Sequence, residues 1–94
     1  MKLEQIIASS CRQRMLLALA KVKKTHVAQL VRMINSTYNE VRRNLEILRD
    51  EGIVKFTSCG NMKMVELERD NQKTEKLLMA LRTLQSQHAL DTKE

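Results

Sequence analysis

A mainly α-helical domain with one small β-hairpin is the fold class this sequence predicts, and three observations lead there. Apolar residues recur at three- and four-residue spacing in several separate stretches, the period of a helix with one buried face. Between residues 53 and 67 the pattern changes to two short apolar runs around Gly60-Asn61, which is hairpin-turn material. No proline interrupts any segment, and the only two glycines, Gly52 and Gly60, punctuate the chain.

The elements follow in order. Residues 2–9 place Leu3, Ile6 and Ile7 on one side of a short amphipathic helix. Residues 10–20 set Met15, Leu16 and Leu19 on one stripe, with Ser9 or Ser10 able to accept a free N–H at the helix start. Residues 21–25 are short and basic and read as a small strand. Val27, Leu30, Val31 and Ile34 then fall at i, i+3, i+4 and i+7, the pattern of a short helix with a buried face. Asn35 tolerates the left-handed backbone that ends helices. Thr37-Tyr38-Asn39-Glu40 has the form T-x-x-E, a capping box in which hydroxyl and carboxylate each take a free N–H. A helix therefore starts near residue 38, buries Val41, Leu45 and Leu48, and ends at Gly52, where left-handed φ is cheap. Strands at 53–58 and 62–67 make the hairpin. Asp70 or Asn71 caps a last helix over about 71–90, with Leu77, Leu81, Leu84 and His88 along one seam and Leu78 beside it. Two short helices across a tight turn, with a hairpin after the second, are the layout of a winged helix-turn-helix.

The chain is long enough for one domain, with a helix-turn-helix core over 10–68 and a C-terminal helix over 70–90. Tyr38 and Phe56 are its two aromatic residues, so aliphatics and methionine must fill the core. So small a core favours burial against a second copy. The stripe of Leu77, Leu81 and Leu84 in the last helix, with Leu78 beside it, suits the chain's own core or a dimer seam, and the seam is the expected reading.

The net charge of +6 lies entirely within residues 1–55, which hold eleven Lys and Arg against five acids, whereas residues 56–94 balance to zero. A basic region of this kind is the electrostatic footprint of a nucleic-acid partner. The second helix of a helix-turn-helix lies in the major groove and contacts bases with its N-terminal residues. Thr37, Tyr38, Asn39, Arg42 and Arg43 occupy those positions. Arg pairs bidentately with guanine and Asn with adenine, while Thr and Tyr bind phosphates or bases. Asn61 and Lys63 at the hairpin tip are candidates for the DNA backbone. Arg12, Arg14, Lys21, Lys23 and Lys24 are further candidates for the backbone, though each alone reads better as a surface charge.

Residues 10–68 resemble ArsR-like winged-helix transcriptional regulators. "CRQRMLLALA" resembles that family's Arg-x-x-Ile-Leu-x-x-Leu helix through Arg12, Met15, Leu16 and Leu19. "LVRMINSTYNEVRRNLEILRDEGIVKF" is similar to its helix-turn-helix and following strand. The resemblance implies a homodimer paired through the first helix, with Leu3, Ile6 and Ile7, and the last helix, with Leu77, Leu78, Leu81 and Leu84, a recognition helix from about 38 to 51, and a wing at 58–63 on the DNA backbone. The sequence departs from the family at Asn35, where a turn glycine is common, and at Asn44, where histidine is common. Residues 27–45 contain no cysteine and the last helix offers only His88 and Asp91, so metal sensing is not carried over.

The expected protein is thus a sequence-specific, double-stranded DNA-binding transcriptional regulator, homodimeric and cytoplasmic, with no metal and no cofactor. The effector, if there is one, is unknown. No apolar run is long enough for a membrane span. There is no Gly-rich phosphate loop and no nucleophile–base grouping, so enzymatic chemistry has no support. The rivals are an architectural DNA-binding protein of low specificity and a winged-helix protein-interaction module. Cys11 and Cys59 form no CxxC and read as free thiols, Cys59 standing near the hairpin tip.

Overall fold

The computed structural model describes the backbone of residues 2–92 and their side chains apart from Cys59 and residues 85–92. The expectations for His88, Asp91 and the Cys59 thiol lie outside the described residues. The chain forms α1 (Leu3–Ile7), α2 (Ser10–Lys21), β1 (Thr25–His26), α3 (Val27–Ile34), α4 (Tyr38–Asp50), β2 (Val54–Cys59), β3 (Met62–Leu67) and α5 (Gln72–Thr92). The small strand expected over 21–25 lies later: Lys21 still belongs to α2, and a two-residue strand pairs Thr25 with Val65 and His26 with Met64. It extends the hairpin into an antiparallel sheet of order β1-β3-β2.

Helix α2 is the central element, touching α1, α3, α4, α5 and β3. Its Met15, Leu16 and Leu19 meet Leu30 and Ile34 of α3 and Val41, Leu45 and Leu48 of α4 in one continuous core. The sheet adds Val54, Val65 and Leu67 to it. The same core takes in Ile6, Leu77, Leu78 and Leu81, four of the residues expected at a dimer seam. Their own protomer already covers these side chains, because α1 and the first half of α5 lie directly against α2. Leu84, 43% exposed, and the half-buried Leu3 and Ile7 are the members of that set with surface left to offer a partner.

The helix ends explain why the elements stop where they do. Ser9, rather than Ser10, caps α2 by accepting from the Arg12 N–H at 3.3 Å. Asn35 ends α3 at φ 54°, with Ser36 N–H donating to Val31 O at 3.1 Å and Asn35 N–H to Arg32 O at 3.3 Å. Gly52 ends α4 in the same way at φ 76°, with Ile53 N–H on Leu48 O and Gly52 N–H on Arg49 O, both at 2.9 Å. Both ends are Schellman motifs, which satisfy carbonyls the helix would otherwise leave free. Only the hydroxyl half of the predicted capping box forms. Thr37 Oγ1 accepts from Glu40 N–H at 3.2 Å, but the Glu40 carboxylate accepts from the Ser36 hydroxyl at 3.0 Å.

The start of α5 is tied to the end of α4. Asn71 caps α5 by accepting from Lys73 N–H at 2.9 Å and donates its amide to Gly52 O at 2.7 Å. Beside it, Lys73 Nζ lies 3.1 Å from Glu51 Oε1. That hydrogen bond holds the Glu51 carboxyl below its ordinary value of 4.5.

Two stability predictions arise here. A Cβ on Gly52 would stand 2.9 Å from Asn71 Nδ2, whereas one on Gly60 meets nothing within 4 Å. Both glycines have positive φ, so Gly52→Ala and Gly60→Ala each carry the left-handed penalty of about 1–2 kcal/mol. Urea denaturation is expected to show the larger loss for Gly52→Ala. The Glu51–Lys73 contribution is present above the unfolded carboxyl value and is lost as pH falls through the lowered one. Lys73→Met is therefore expected to destabilise near neutral pH and to make no difference in strong acid, as read from unfolding curves across pH.

Candidate nucleic-acid interface

Burial of Val41, Leu45 and Leu48, each no more than 1% exposed, sets the rotation of α4. At 3.6 residues per turn, positions 38, 39, 42, 43 and 46 are left outside, and all five are exposed. Thr37 is the N-cap of this helix, so its hydroxyl is engaged with Glu40 N–H although the residue itself is exposed. Tyr38 is 53% exposed. Arg42 Nε lies 3.8 Å from Glu46 Oε1, one turn along the same surface. Such an exposed pair is weak and readily exchanged for another anion. Arg43 makes no ion pair among the described residues, and Asn39 projects freely beside it.

The hairpin stands next to this surface. Gly60 has φ 66° and Asn61 follows it with negative φ, the sign pattern of a type II′ turn. Asn61 is exposed at the tip. Lys63 pairs with Ser58 in the ladder and leans inward, its Nζ 5.0 Å from the centroid of the Phe56 ring. Arg49, near the C-terminal end of α4, places its guanidinium carbon 5.5 Å from the same centroid. Phe56 thus takes one cation–π contact from Arg49, which joins the hairpin to α4, and one from Lys63 within the hairpin itself.

Between α4 and the hairpin lies a groove of about 290 Å³ lined by Tyr38, Arg42, Glu46, Arg49, Phe56 and Lys63, among others. A second concavity of about 430 Å³ shares Tyr38 and Lys63 and runs along His26, Gln29, Arg32 and Met62. The structure therefore brings Tyr38, Arg42 and Lys63 of the predicted site together across one groove. Asn39 and Arg43 project from the neighbouring face of α4. His26, Arg32, Arg49, Phe56 and Met62 were not identified from sequence. Alternation along β2 was the available signal for Phe56, which shares a strand face with buried Val54.

Arg12, half-buried, and Arg14, exposed, both donate within the chain. Arg14 Nη1 donates to Ile34 O at 3.0 Å, at the end of α3. Arg12 donates from Nε to Ile6 O at 2.8 Å, from Nη2 to Gln5 O at 2.9 Å, and from Nη1 to Asn44 Oδ1 at 2.8 Å. Asn44 is 8% exposed and donates to Glu40 O at 2.8 Å. Lys24 is drawn toward Glu66, 3.6 Å away. Cys11 is a free, buried thiol whose pKa is pushed up by burial first and by the nearby Glu40 charge second. No group of three or more potential metal-ligating side chains comes together among the described residues, and no described helix is long and apolar enough to cross a membrane.

No family model matches the sequence, and no curated protein sequence matches it. Solved structures do. The chain superposes on the AntR antimony-specific transcriptional repressor with a TM-score of 0.82 at 22% identity, over 98% of this chain and 78% of that one. For the transcriptional repressor BigR from Xylella fastidiosa the TM-score is 0.78 at 16% identity, over 90% and 82% of the two chains. For the homodimeric winged helix-turn-helix DNA-binding domain of Mb0332 from Mycobacterium bovis it is 0.73 at 16% identity, over 93% and 78%. At these identities the likeness is one of fold, and that fold is the winged helix-turn-helix.

The Phe56 contacts yield a further prediction. Phe56→Leu keeps an apolar side chain but removes the ring, and each exposed cation–π contact is worth about 0.5–1 kcal/mol. A loss of that order is expected in urea unfolding, together with faster amide exchange in β2 and β3.

Proposed function

We propose that this protein is a double-stranded DNA-binding transcriptional regulator, not an enzyme, and that it acts as a homodimer. The observation that carries this reading is the groove between α4 and the hairpin. An exposed, polar N-terminal half of α4 stands on one side of it and Lys63 on the other, with Tyr38 and Arg42 in its wall. Helix α4 would enter the major groove. Asn39, Arg42 and Arg43 would meet base edges, and Thr37 and Tyr38 phosphates or bases. Lys63 and Asn61 on the hairpin would follow the adjoining backbone. The first turn of α4 supports the same placement, since a helix N-terminus favours a phosphate.

Dimerisation is supported by the homodimeric state of the Mb0332 domain and by Met79 and Leu84, which are 64% and 43% exposed on α5. Two recognition helices would then read successive major grooves of a pseudo-palindromic site, one helical turn apart. Repressors among the similar folds favour regulation over packaging of DNA.

The test is fluorescence anisotropy on two labelled duplexes, the DNA upstream of the protein's own gene and a shuffled version, over about 50 to 300 mM salt. A preference for the native duplex that survives rising salt is expected. Equal and steeply salt-dependent affinities would favour architectural binding, and no binding to either would overturn the reading. On the preferred duplex, Asn39→Ala or Arg42→Ala is expected to cost about 1–3 kcal/mol and relax discrimination at one position. Lys63→Ala should instead weaken binding evenly across sequences and reduce the salt slope by about one.

A further inference from the structure

Four hydrogen bonds around Arg12 bear on how α4 is aimed. The aliphatic contact of α4 with the core is non-directional, so it tolerates small rotations and slides of the helix. Which way Tyr38, Asn39 and Arg42 project depends on that rotation. A directional restraint is therefore needed behind the helix, and Asn44 is placed to supply one. It lies at the edge of the buried face, one turn beyond Glu40, whose carbonyl its amide engages at 2.8 Å. Its carbonyl oxygen takes Arg12 Nη1 at 2.8 Å. A buried amide leaves few alternatives to such pairing, since an unpaired polar group there is costly.

The other edges of the same guanidinium hold α1. Nε reaches Ile6 O at 2.8 Å and Nη2 reaches Gln5 O at 2.9 Å, while Gln13 Nε2 donates to Ile7 O. A helix of five residues is too short to persist alone, and its last carbonyls have no intrahelical partner. Side chains of α2 supply those partners. Helix α1 in turn rests on α5. The planar fork of one arginine thus connects the position of α1 to the second turn of α4, a geometry that lysine cannot reproduce.

We propose that Arg12 is a positioning residue for DNA binding, which through Asn44 holds α4 at the rotation that reads sequence and makes that rotation depend on the docking of α1. The proposal rests on the DNA-binding reading above. Arg12 itself touches no DNA in this scheme. Because α1 and α5 flank the surface left for a partner copy, a change of their packing would be felt at α4 by the same route.

The experiment is a double-variant cycle of Arg12→Lys, Asn44→Leu and both together, with the unaltered chain as reference. Each protein is first checked by circular dichroism and urea unfolding, and only folded variants are compared. Anisotropy then gives affinities for the preferred and the shuffled duplex, and amide NMR of the free proteins follows the Asn39 and Arg42 signals. Either single variant is expected to lower affinity for the preferred duplex about tenfold and leave the shuffled duplex unchanged. The double variant is expected to lose no more than the weaker single one. The Asn39 and Arg42 amides are expected to shift without DNA. Should Arg12→Lys fail to fold, Asn44→Leu, which leaves the α1 bonds in place, supplies the comparison. Folded variants that lose stability but keep the ratio of the two affinities and unshifted α4 amides would overturn the proposal and make Arg12 structural only. Failure of the unaltered chain to bind either duplex would instead overturn the DNA-binding reading, and this proposal with it.

Discussion

Burial of one aliphatic face of α4 is the constraint on which the rest of this structure depends. Val41, Leu45 and Leu48 are fully enclosed, and they are enclosed by α2 and α3 together. Each such side chain contributes roughly 1.5–3 kcal/mol on burial. The consequence is geometric as well as energetic. A helix whose inner face is pinned must present its remaining positions outward, and those positions are polar and basic. With two aromatic residues in the chain, the core has few bulky side chains with which to lock its helices by shape. Polar contacts at the helix ends take over that part. Asn35 and Gly52 close α3 and α4 with left-handed residues, and Asn71 bridges from the start of α5 to the Gly52 carbonyl. The hinge regions of the motif are thereby held by hydrogen bonds whose directions matter.

The order of elements was legible because each helix has an interrupted apolar period and a chemical end signal. Ser9, Asn35, Thr37, Gly52 and Asn71 all sit at the boundaries that local rules assign them. The outward set on α4 was legible for the same reason, since it is the complement of a buried stripe. The partner of each buried stripe was not. Periodicity identifies an apolar face but says nothing of what covers it, so Leu77, Leu78 and Leu81 suited a second copy as well as the chain's own core. Only the chain path decides, and it lays the first half of α5 on α2.

Polar roles were the least legible part. Arg12 and Arg14 belong to a basic run that reads as a surface, yet each closes the C-terminal end of another helix. Nothing in their local sequence announces this, because the acceptors are backbone carbonyls that every residue carries. Glu40 shows the complementary case. The capping-box pattern is present and the helix starts where it should, but the carboxylate finds the Ser36 hydroxyl instead. Asn44 attracts notice from the sequence as a polar residue beside an apolar stripe and as a departure from the resembled family, but its partner is Arg12, thirty-two positions away.

These arrangements divide the chain's positive charge into two kinds with different reach. Lys24 and Lys55 face Glu66, with Glu68 also 3.8 Å from Lys55, and Lys73 faces Glu51, so at a distance these three lysines are balanced by three acids. Arg12 and Arg14 are bonded to neutral acceptors, so their charge is satisfied locally without being cancelled. A guanidinium held this way still contributes to the field outside the protein, and partial burial shields it less by salt than a fully exposed lysine. The excess of basic residues before position 56 therefore combines two effects that a count cannot separate. Fixed charges behind α4 raise the potential over the whole face and are suited to attracting a polyanion. The exposed side chains of α4 and the hairpin are few, close together and free to exchange weak internal pairs for external ones. In the proposed DNA-binding reading, attraction and discrimination would thus fall to different residues, linked by Arg12, which bonds Asn44 on the inner side of α4.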